Sequence, residues 1–158
     1  MKVLVLYDSA YGNTEKLAEA IQTALASAHE VRLCQAQHFQ NSDIVGIELL
    51  IVGSPTQGGR PTLPIQALLK NLPANSLKNL SVAVFDTRFA EKEHGLGLRL
   101  VMMTIGYAAS RMAHALELKG GWLVAEPQGF IVKSKEGPLK DGELRHAQTW
   151  SKQLMQHV

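Results

Sequence analysis

Long runs of β-branched and aliphatic residues alternate along this chain with segments of helical spacing. The most apolar runs are residues 2–7, 48–52 and 80–85. Because these runs do not alternate regularly with polar residues, they predict strands that are covered on both faces of a sheet.

Two weaker segments complete the predicted sheet. Residues 30–34 alternate between polar and apolar side chains and predict a strand at an edge. Residues 122–125 predict a fifth strand, which residues 127–129 break and residues 130–132 continue as a short edge piece.

Four stripes of apolar residues at helical spacing predict the helices. The first begins after the polar segment that follows the first strand, and the second runs from Pro64 to near Asn71. The third is the longest and stops at Gly120, and the fourth follows Pro138. The stripes consist of Leu17, Ile21 and Leu25; Ile65, Leu68 and Leu69; Leu98, Val101, Met102, Ile105, Ala108, Ala109, Met112, Ala113 and Leu116; and Leu144, Ala147, Trp150, Leu154 and Val158.

The predicted order of elements is β α β β α β α β α, which indicates a doubly wound α/β sheet built as a single domain over residues 1–158. Such sheets bind ligands at the carboxyl ends of their strands. Polar, glycine-rich loops follow the first, third and fourth strands at residues 8–14, 53–61 and 86–97. All three loops are therefore expected to open on the same edge of the sheet.

The loop at residues 8–14 carries the clearest chemical signal. It contains the hydroxyl side chains of Ser9, Tyr11 and Thr14 and a glycine, Gly12. A helix that begins there points its unpaired first-turn N–H groups, and a dipole equivalent to roughly +0.5 charge, at a bound phosphate. The loop has no Lys or Arg, so dipoles and hydroxyls would meet the negative charge. The alternative is an ordinary strand-to-helix turn with a capping side chain.

Neither of the common phosphate-binding motifs fits this loop, because no Lys follows Gly12 and there is only one glycine. The loop instead resembles the phosphate loop of the flavodoxin family, in which hydroxyl residues flank a glycine. The residues that carry this resemblance are Ser9, Ala10, Tyr11, Gly12, Asn13 and Thr14. The likeness extends over the whole chain, and it implies flavin mononucleotide (FMN) as the cofactor.

The second and third loops are similar to the other flavin-binding loops of flavodoxins. The core of the second is Gly53-Ser54-Pro55-Thr56, in which the resemblance implies hydroxyls for the ribityl chain or phosphate. The amides that follow would reach the polar edge of the isoalloxazine ring, where glycine lets a peptide reorient at little strain. The implied FMN-binding residues of these two loops are Ser54, Pro55, Thr56, Gln57, Gly58, Gly59, Asp86, Thr87, Arg88 and Phe89.

The resemblance also implies a three-layer sandwich with a five-stranded parallel sheet in the order 2-1-3-4-5. The chain departs from the family in two respects. Many flavodoxins have a tryptophan where this chain has Gln57, so Tyr11 or Phe89 would supply only part of the aromatic stacking. Many flavodoxins are also strongly acidic, whereas the 158 residues here have a formal net charge of +2, so an acidic docking face is not expected.

Composition excludes several other classes of protein. The basic residues are scattered, which does not indicate nucleic-acid binding. The single cysteine, Cys34, excludes an intrachain disulfide and fits a cytoplasmic protein. No signal peptide is visible. The most apolar long stretch, residues 96–118, contains Arg99, Arg111 and Glu117, so no membrane insertion is expected.

These features favour an electron carrier that shuttles electrons between a reductase and an acceptor protein, as a monomer or weak oligomer. The flavin would supply the redox chemistry, so no catalytic side chain is assigned. One alternative is an NAD(P)H-dependent quinone or nitro-compound reductase of the same fold, and another is a flavin-free interaction module. No metal site is assigned either, because the acidic residues and His94 near residues 86–94 fit a solvated loop.

Overall fold

The parallel sheet is the centre of the molecule in the computed structural model, which describes residues 1–90, 95–97 and 106–158. Its strands within those residues are β1 (Lys2–Tyr7), β2 (Glu30–Gln35), β3 (Leu49–Pro55), β4 (Ser81–Arg88), β5 (Trp122–Leu123) and β6 (Gln128–Ile131). The strand order is β2-β1-β3-β4-β5, and β6 pairs with β4. The predicted order 2-1-3-4-5 is therefore confirmed.

The fifth position of the sheet is shared by two short strands. β5 pairs with the start of β4 at Ser81 and Val82, whereas β6 pairs with its end, from Phe85 to Arg88. The interruption predicted around residues 127–129 lies slightly earlier, because β6 already begins at Gln128. β4 thus has a paired neighbour at its carboxyl end, where the candidate site lies.

Helices cover both faces of the sheet. The described residues contain α1 (Asn13–Leu25), α2 (Leu63–Asn71), α3 (Ala108–Leu118) and α4 (Glu143–Leu154). Successive residues of β1 face opposite layers: Val5 packs with the cluster that contains α1 and α4, whereas Leu4 packs with the cluster that contains α2 and α3. The result is the predicted three-layer sandwich, with one apolar core on each side of the sheet.

The third predicted helix begins later than its apolar stripe indicated. Gly106 has φ +78° and Tyr107 is extended, so the helix begins at Ala108. A left-handed glycine followed by an extended residue cannot continue a helix. The prediction of one unbroken helix from Leu98 to Leu116 is therefore wrong at Gly106, and its part at residues 98–105 lies outside the described residues. No helix among the residues described is long and apolar enough to span a bilayer.

Candidate cofactor site

The loops that follow β1, β3 and β4 meet at the carboxyl edge of the sheet. The register pairs Tyr7 with Gly53 and Pro55 with Thr87, so the three strands end side by side. A cavity of about 560 Å³ opens between the loops. Twelve of the sixteen residues predicted to bind FMN line it: Ser9, Ala10, Tyr11, Asn13, Thr14, Pro55, Thr56, Gln57, Gly58, Thr87, Arg88 and Phe89.

Four predicted residues, Gly12, Ser54, Gly59 and Asp86, lie behind this lining. Ser54 is fully buried, and its Oγ accepts a hydrogen bond from the Thr62 N–H at 3.0 Å. The same hydroxyl donates to the carbonyl of Pro55. Ser54 thus fixes the shape of its own loop, and its donor and acceptor are both used within the protein.

One end of the cavity is formed by the first turn of α1. Gly12 has φ +85° at the N-cap, and its N–H donates to Ser9 Oγ at 3.0 Å. Ser9 Oγ also accepts from the Glu15 N–H at 3.4 Å, which leaves the hydroxyl hydrogen available for donation. Among the residues described, none accepts a hydrogen bond from the N–H of Asn13 or Thr14. These amides, with the helix dipole, form an anion-binding corner.

The carboxylate in the first turn of α1 is turned away from this corner. Glu15 lies in the first turn of α1, and its Oε1 accepts from the Tyr7 hydroxyl at 3.0 Å and from Gln35 Nε2 at 3.4 Å. Burial, followed by the interaction with Glu15, raises the pKa of Tyr7, so the phenol keeps its proton at neutral pH. Tyr7 therefore holds the Glu15 charge on the side of β2 instead of beside the anion-binding corner.

A cation reaches the cavity from a distant part of the sequence. Lys135 lies between β6 and α4 and lines the cavity. Its segment is fixed to the first loop because Asn13 Nδ2 donates to the carbonyl of Glu136 at 3.0 Å. Gly137, with φ +102°, packs directly on the Asn13 side chain. Residues 8–14 contain no Lys or Arg, and dipoles and hydroxyls alone were therefore expected to meet the negative charge. Lys135 adds a cation from outside that segment.

The third loop presents a fixed guanidinium to the cavity. Arg88 Nε and Nη2 donate to the two carboxylate oxygens of Asp86 at 2.6 and 2.9 Å. Its guanidinium lies 3.6 Å from the ring centroid of Tyr107, which also lines the cavity. Asp86 is fully buried, and its Oδ2 also accepts the N–H of Ala109 at 2.8 Å. Asp86 therefore acts by holding Arg88 and the start of α3.

A family model described as Flavodoxin matches residues 5–86, which include the loops after β1 and β3 and end within β4. The chain belongs to the flavodoxin family. FMN is the cofactor of this family.

Individual relatives match either a part of this chain in sequence or nearly all of it in fold. A flavodoxin of Aquifex aeolicus is 42% identical over 60 residues, which are 37% of this chain and 32% of that protein. The putative diflavin flavoprotein A 3 of Synechocystis is 33% identical over 90 residues, 54% of this chain and 15% of that protein. The match thus spans about a third or less of these relatives. A solved archaeal flavodoxin has a TM-score of 0.77 at 20% identity and covers 99% of this chain and 97% of its own, a likeness in fold.

The cavity of this flavodoxin-family chain has a donor set that suits FMN. Unpaired amides and nearby hydroxyls at the anion-binding corner match a phosphate, and aromatic side chains in the cavity lining match a flat ring system. Tyr11 and Phe89 both line the cavity and are 47% and 37% exposed. Gln57 is exposed in the second loop.

Proposed function

We propose that this chain binds FMN non-covalently in the three-loop cavity and carries electrons between a reductase and an acceptor protein. The bound flavin supplies the redox chemistry, and the side chains bind it, orient it and set its electrostatic surroundings. The observation that supports this function best is the closure of one cavity by three loops that are distant in sequence, with unpaired helix amides at one end. The proposal includes a single domain that acts in the cytoplasm as a monomer or weak oligomer.

In this proposal the anion-binding corner holds the phosphate. The N–H groups of Asn13 and Thr14, and the hydroxyls of Ser9 and Thr14, act as donors. Lys135, whose segment is fixed to the first loop, adds a positive charge. Charge-assisted hydrogen bonds of this kind are shorter and stronger than neutral ones, so the corner would contribute much of the selectivity for FMN over riboflavin.

The other two loops are proposed to hold the ring. Gln57 and Gly58 line the cavity on one side, and Thr87, Arg88 and Phe89 line it on the other. Thr56 lines it too, but its Oγ1 already accepts a hydrogen bond from the Ala108 N–H at 3.1 Å. Its hydroxyl hydrogen and one lone pair are therefore left for the cofactor.

The function is tested by titrating the apoprotein with FMN and then comparing two routes of reduction. A carrier is expected to take up FMN one to one and to be reduced only when a separate reductase is present. Oxidation of NAD(P)H by the purified protein and a quinone alone would instead favour the reductase alternative, which the exposed Gln57 allows because residue 57 is not a large aromatic side chain. If the apoprotein took up no FMN, the flavin-free interaction module would be the remaining alternative.

Replacing Thr14 by Val tests the phosphate role directly. Val has nearly the same shape but lacks the hydroxyl, and a hydrogen bond to a charged group contributes about 1.5–3 kcal/mol. We expect the Kd for FMN to rise roughly 10- to 100-fold, while the Kd for riboflavin, which lacks the phosphate, changes little. Both constants are measured by quenching of flavin fluorescence.

Thr23→Val is the matched control, because Thr23 lies on the same helix and its hydroxyl donates to the carbonyl of Glu19 on the exposed side. It should leave both constants unchanged. Equal weakening of FMN and riboflavin in Thr14→Val would show that Thr14 acts through packing, since Thr14 Oγ1 also lies 3.4 Å from Thr87 Oγ1.

A further inference from the structure

A second cavity, of about 380 Å³, lies between α2 and α3 on the face of the sheet opposite α1 and α4. Four of its lining residues are basic, namely Arg60, Lys70, Arg111 and Lys119, and none of the lining residues is acidic. We call this cavity the basic groove. It takes no part in the FMN site described above.

Two of the four cations of the basic groove are held by backbone carbonyls. Arg111 Nε donates to the carbonyl of Gly59 at 2.8 Å, and Lys119 Nζ donates to the carbonyls of Lys70 and Leu72. Among the residues described, no carboxylate lies within ion-pair distance of Arg60, Lys70 or Lys119. An anionic ligand could therefore neutralise Arg60, Lys70 and Lys119, and the contacts of Lys119 with two carbonyls fix the position of its charge.

Apart from Gln66, the rest of the groove is apolar. Pro61 and Leu69 are buried side chains of its lining, and Leu118 is 69% exposed. A site for a small inorganic anion does not need an exposed leucine. Apolar surface flanked by cations instead suits a protein segment that presents both carboxylates and apolar side chains, because interfaces combine an apolar centre with a charged rim.

The basic groove and the FMN cavity share a wall. Gln57 and Gly58 line the FMN cavity, whereas Arg60 and Pro61 line the groove. The turn between them is closed by hydrogen bonds from the Gln57 N–H to the Arg60 carbonyl at 2.8 Å and from the Arg60 N–H to the Gln57 carbonyl at 3.1 Å. A protein seated in the groove would therefore lie one tight turn away from the proposed flavin.

The charge of the surrounding chain has the same sign as the groove. The two segments that line it, residues 60–71 and 106–119, contain four basic residues and one acidic residue, Glu117. The helices of the opposite face, α1 and α4, contain three basic and three acidic residues. This difference would steer a negatively charged protein toward the α2–α3 side before contact, at a rate that falls as salt is added.

We propose that the basic groove docks an acidic, partly apolar segment of the protein that exchanges electrons with this chain. The proposal rests on the electron-carrier function and adds the charge and the place of the partner. It reverses the acidic docking face common among flavodoxins and agrees with the net charge of +2.

The test uses the FMN-loaded protein and a fluorescent peptide in which glutamate alternates with leucine, measured by anisotropy. Arg60→Glu/Lys70→Glu reverses two groove charges, and Arg145→Glu/Lys152→Glu reverses two exposed charges on α4, on the opposite face. Both variants have the same net charge. We expect the groove pair to raise the Kd for the peptide at least tenfold, the α4 pair to change it less than twofold, and 0.5 M salt to weaken binding to wild type.

Three results would overturn the proposal: no binding of the peptide to wild type, equal weakening by the two pairs, or displacement of the peptide by inorganic pyrophosphate at equimolar concentration, which would make the groove a small-anion site. A matched peptide with lysine in place of glutamate should not bind. The FMN titration of the wild-type apoprotein is read separately. A failure of the proposed cofactor function therefore appears there, and a failure of the docking site appears in the peptide assay.

Discussion

Gly53→Ala is expected to lower the free energy of unfolding by about 3 kcal/mol, because overpacking a well-filled core typically costs that much or somewhat less. Gly53 pairs with Phe85 in the register of β3 and β4. The Phe85 ring lies over the glycine, so an added Cβ would be 2.6 Å from Phe85 Cε2. The ring cannot easily move aside, because it is fully buried and packs edge-on against Phe130 and Trp150 at 5.9 and 6.0 Å.

Urea denaturation followed by circular dichroism measures this loss as a lower midpoint at an unchanged slope. Gly95→Ala is the control, because a Cβ there meets no atom within 4 Å. Shortening the ring in Gly53→Ala/Phe85→Leu should recover at least about 1 kcal/mol relative to the sum of the single changes, which is the range expected for residues in contact. Strict additivity would contradict the steric explanation.

Arg88→Met is the second change with a large expected effect, a loss of about 3 kcal/mol in the free energy of unfolding, since removal of one partner leaves a buried charge uncompensated. Asp86 is completely buried, and the Arg88 side chain is only 17% exposed. In the variant, the Asp86 carboxylate would lose both bonds from Arg88. Among the described residues, the N–H of Ala109 would remain as its hydrogen-bond donor. Met fills most of the volume of the arginine stem, so the loss would come mainly from charge.

A double variant separates charge from packing. Asp86→Asn/Arg88→Met removes both charges but keeps a side-chain oxygen for the Ala109 N–H, so it should be more stable than Arg88→Met alone in the same urea titration. Arg32→Met is the control: Arg32 pairs with Asp43 at 2.8 Å, but its side chain is 52% exposed. It should cost at most about 1 kcal/mol. If Arg88→Met lowered the free energy of unfolding no more than Arg32→Met, the buried pair would not be a determinant of stability.

The sheet could be predicted from sequence because its signal is local. Each buried strand is a continuous apolar run, and the loops that follow β1, β3 and β4 contain turn residues at the predicted places. The anion-binding corner could be recognised for the same reason, since Ser9, Gly12 and Thr14 lie within one short segment. The sequence does not show whether a polar side chain is available to a ligand. The Ser54 hydroxyl, for example, donates to one backbone group and accepts from another.

Cavity residues from distant segments of the chain could not be predicted from the sequence. Lys135 follows the first loop by more than a hundred residues, and no spacing rule connects them. Tyr107 lies inside a stripe of helical periodicity, and only the left-handed Gly106 takes it out of the helix and brings it to the cavity. The sequence contained both residues but gave no indication of their neighbours.

The hydrogen bond between Asn13 and the carbonyl of Glu136 joins residues separated by 123 positions. During synthesis, the N-terminal half emerges from the ribosome with β1, α1 and β3 already available, yet the cavity wall that contains Lys135 is still missing. Full affinity for the cofactor is therefore expected only for a nascent chain from which Lys135 and Glu136 have also emerged, so flavin would load after both segments of the cavity have been made.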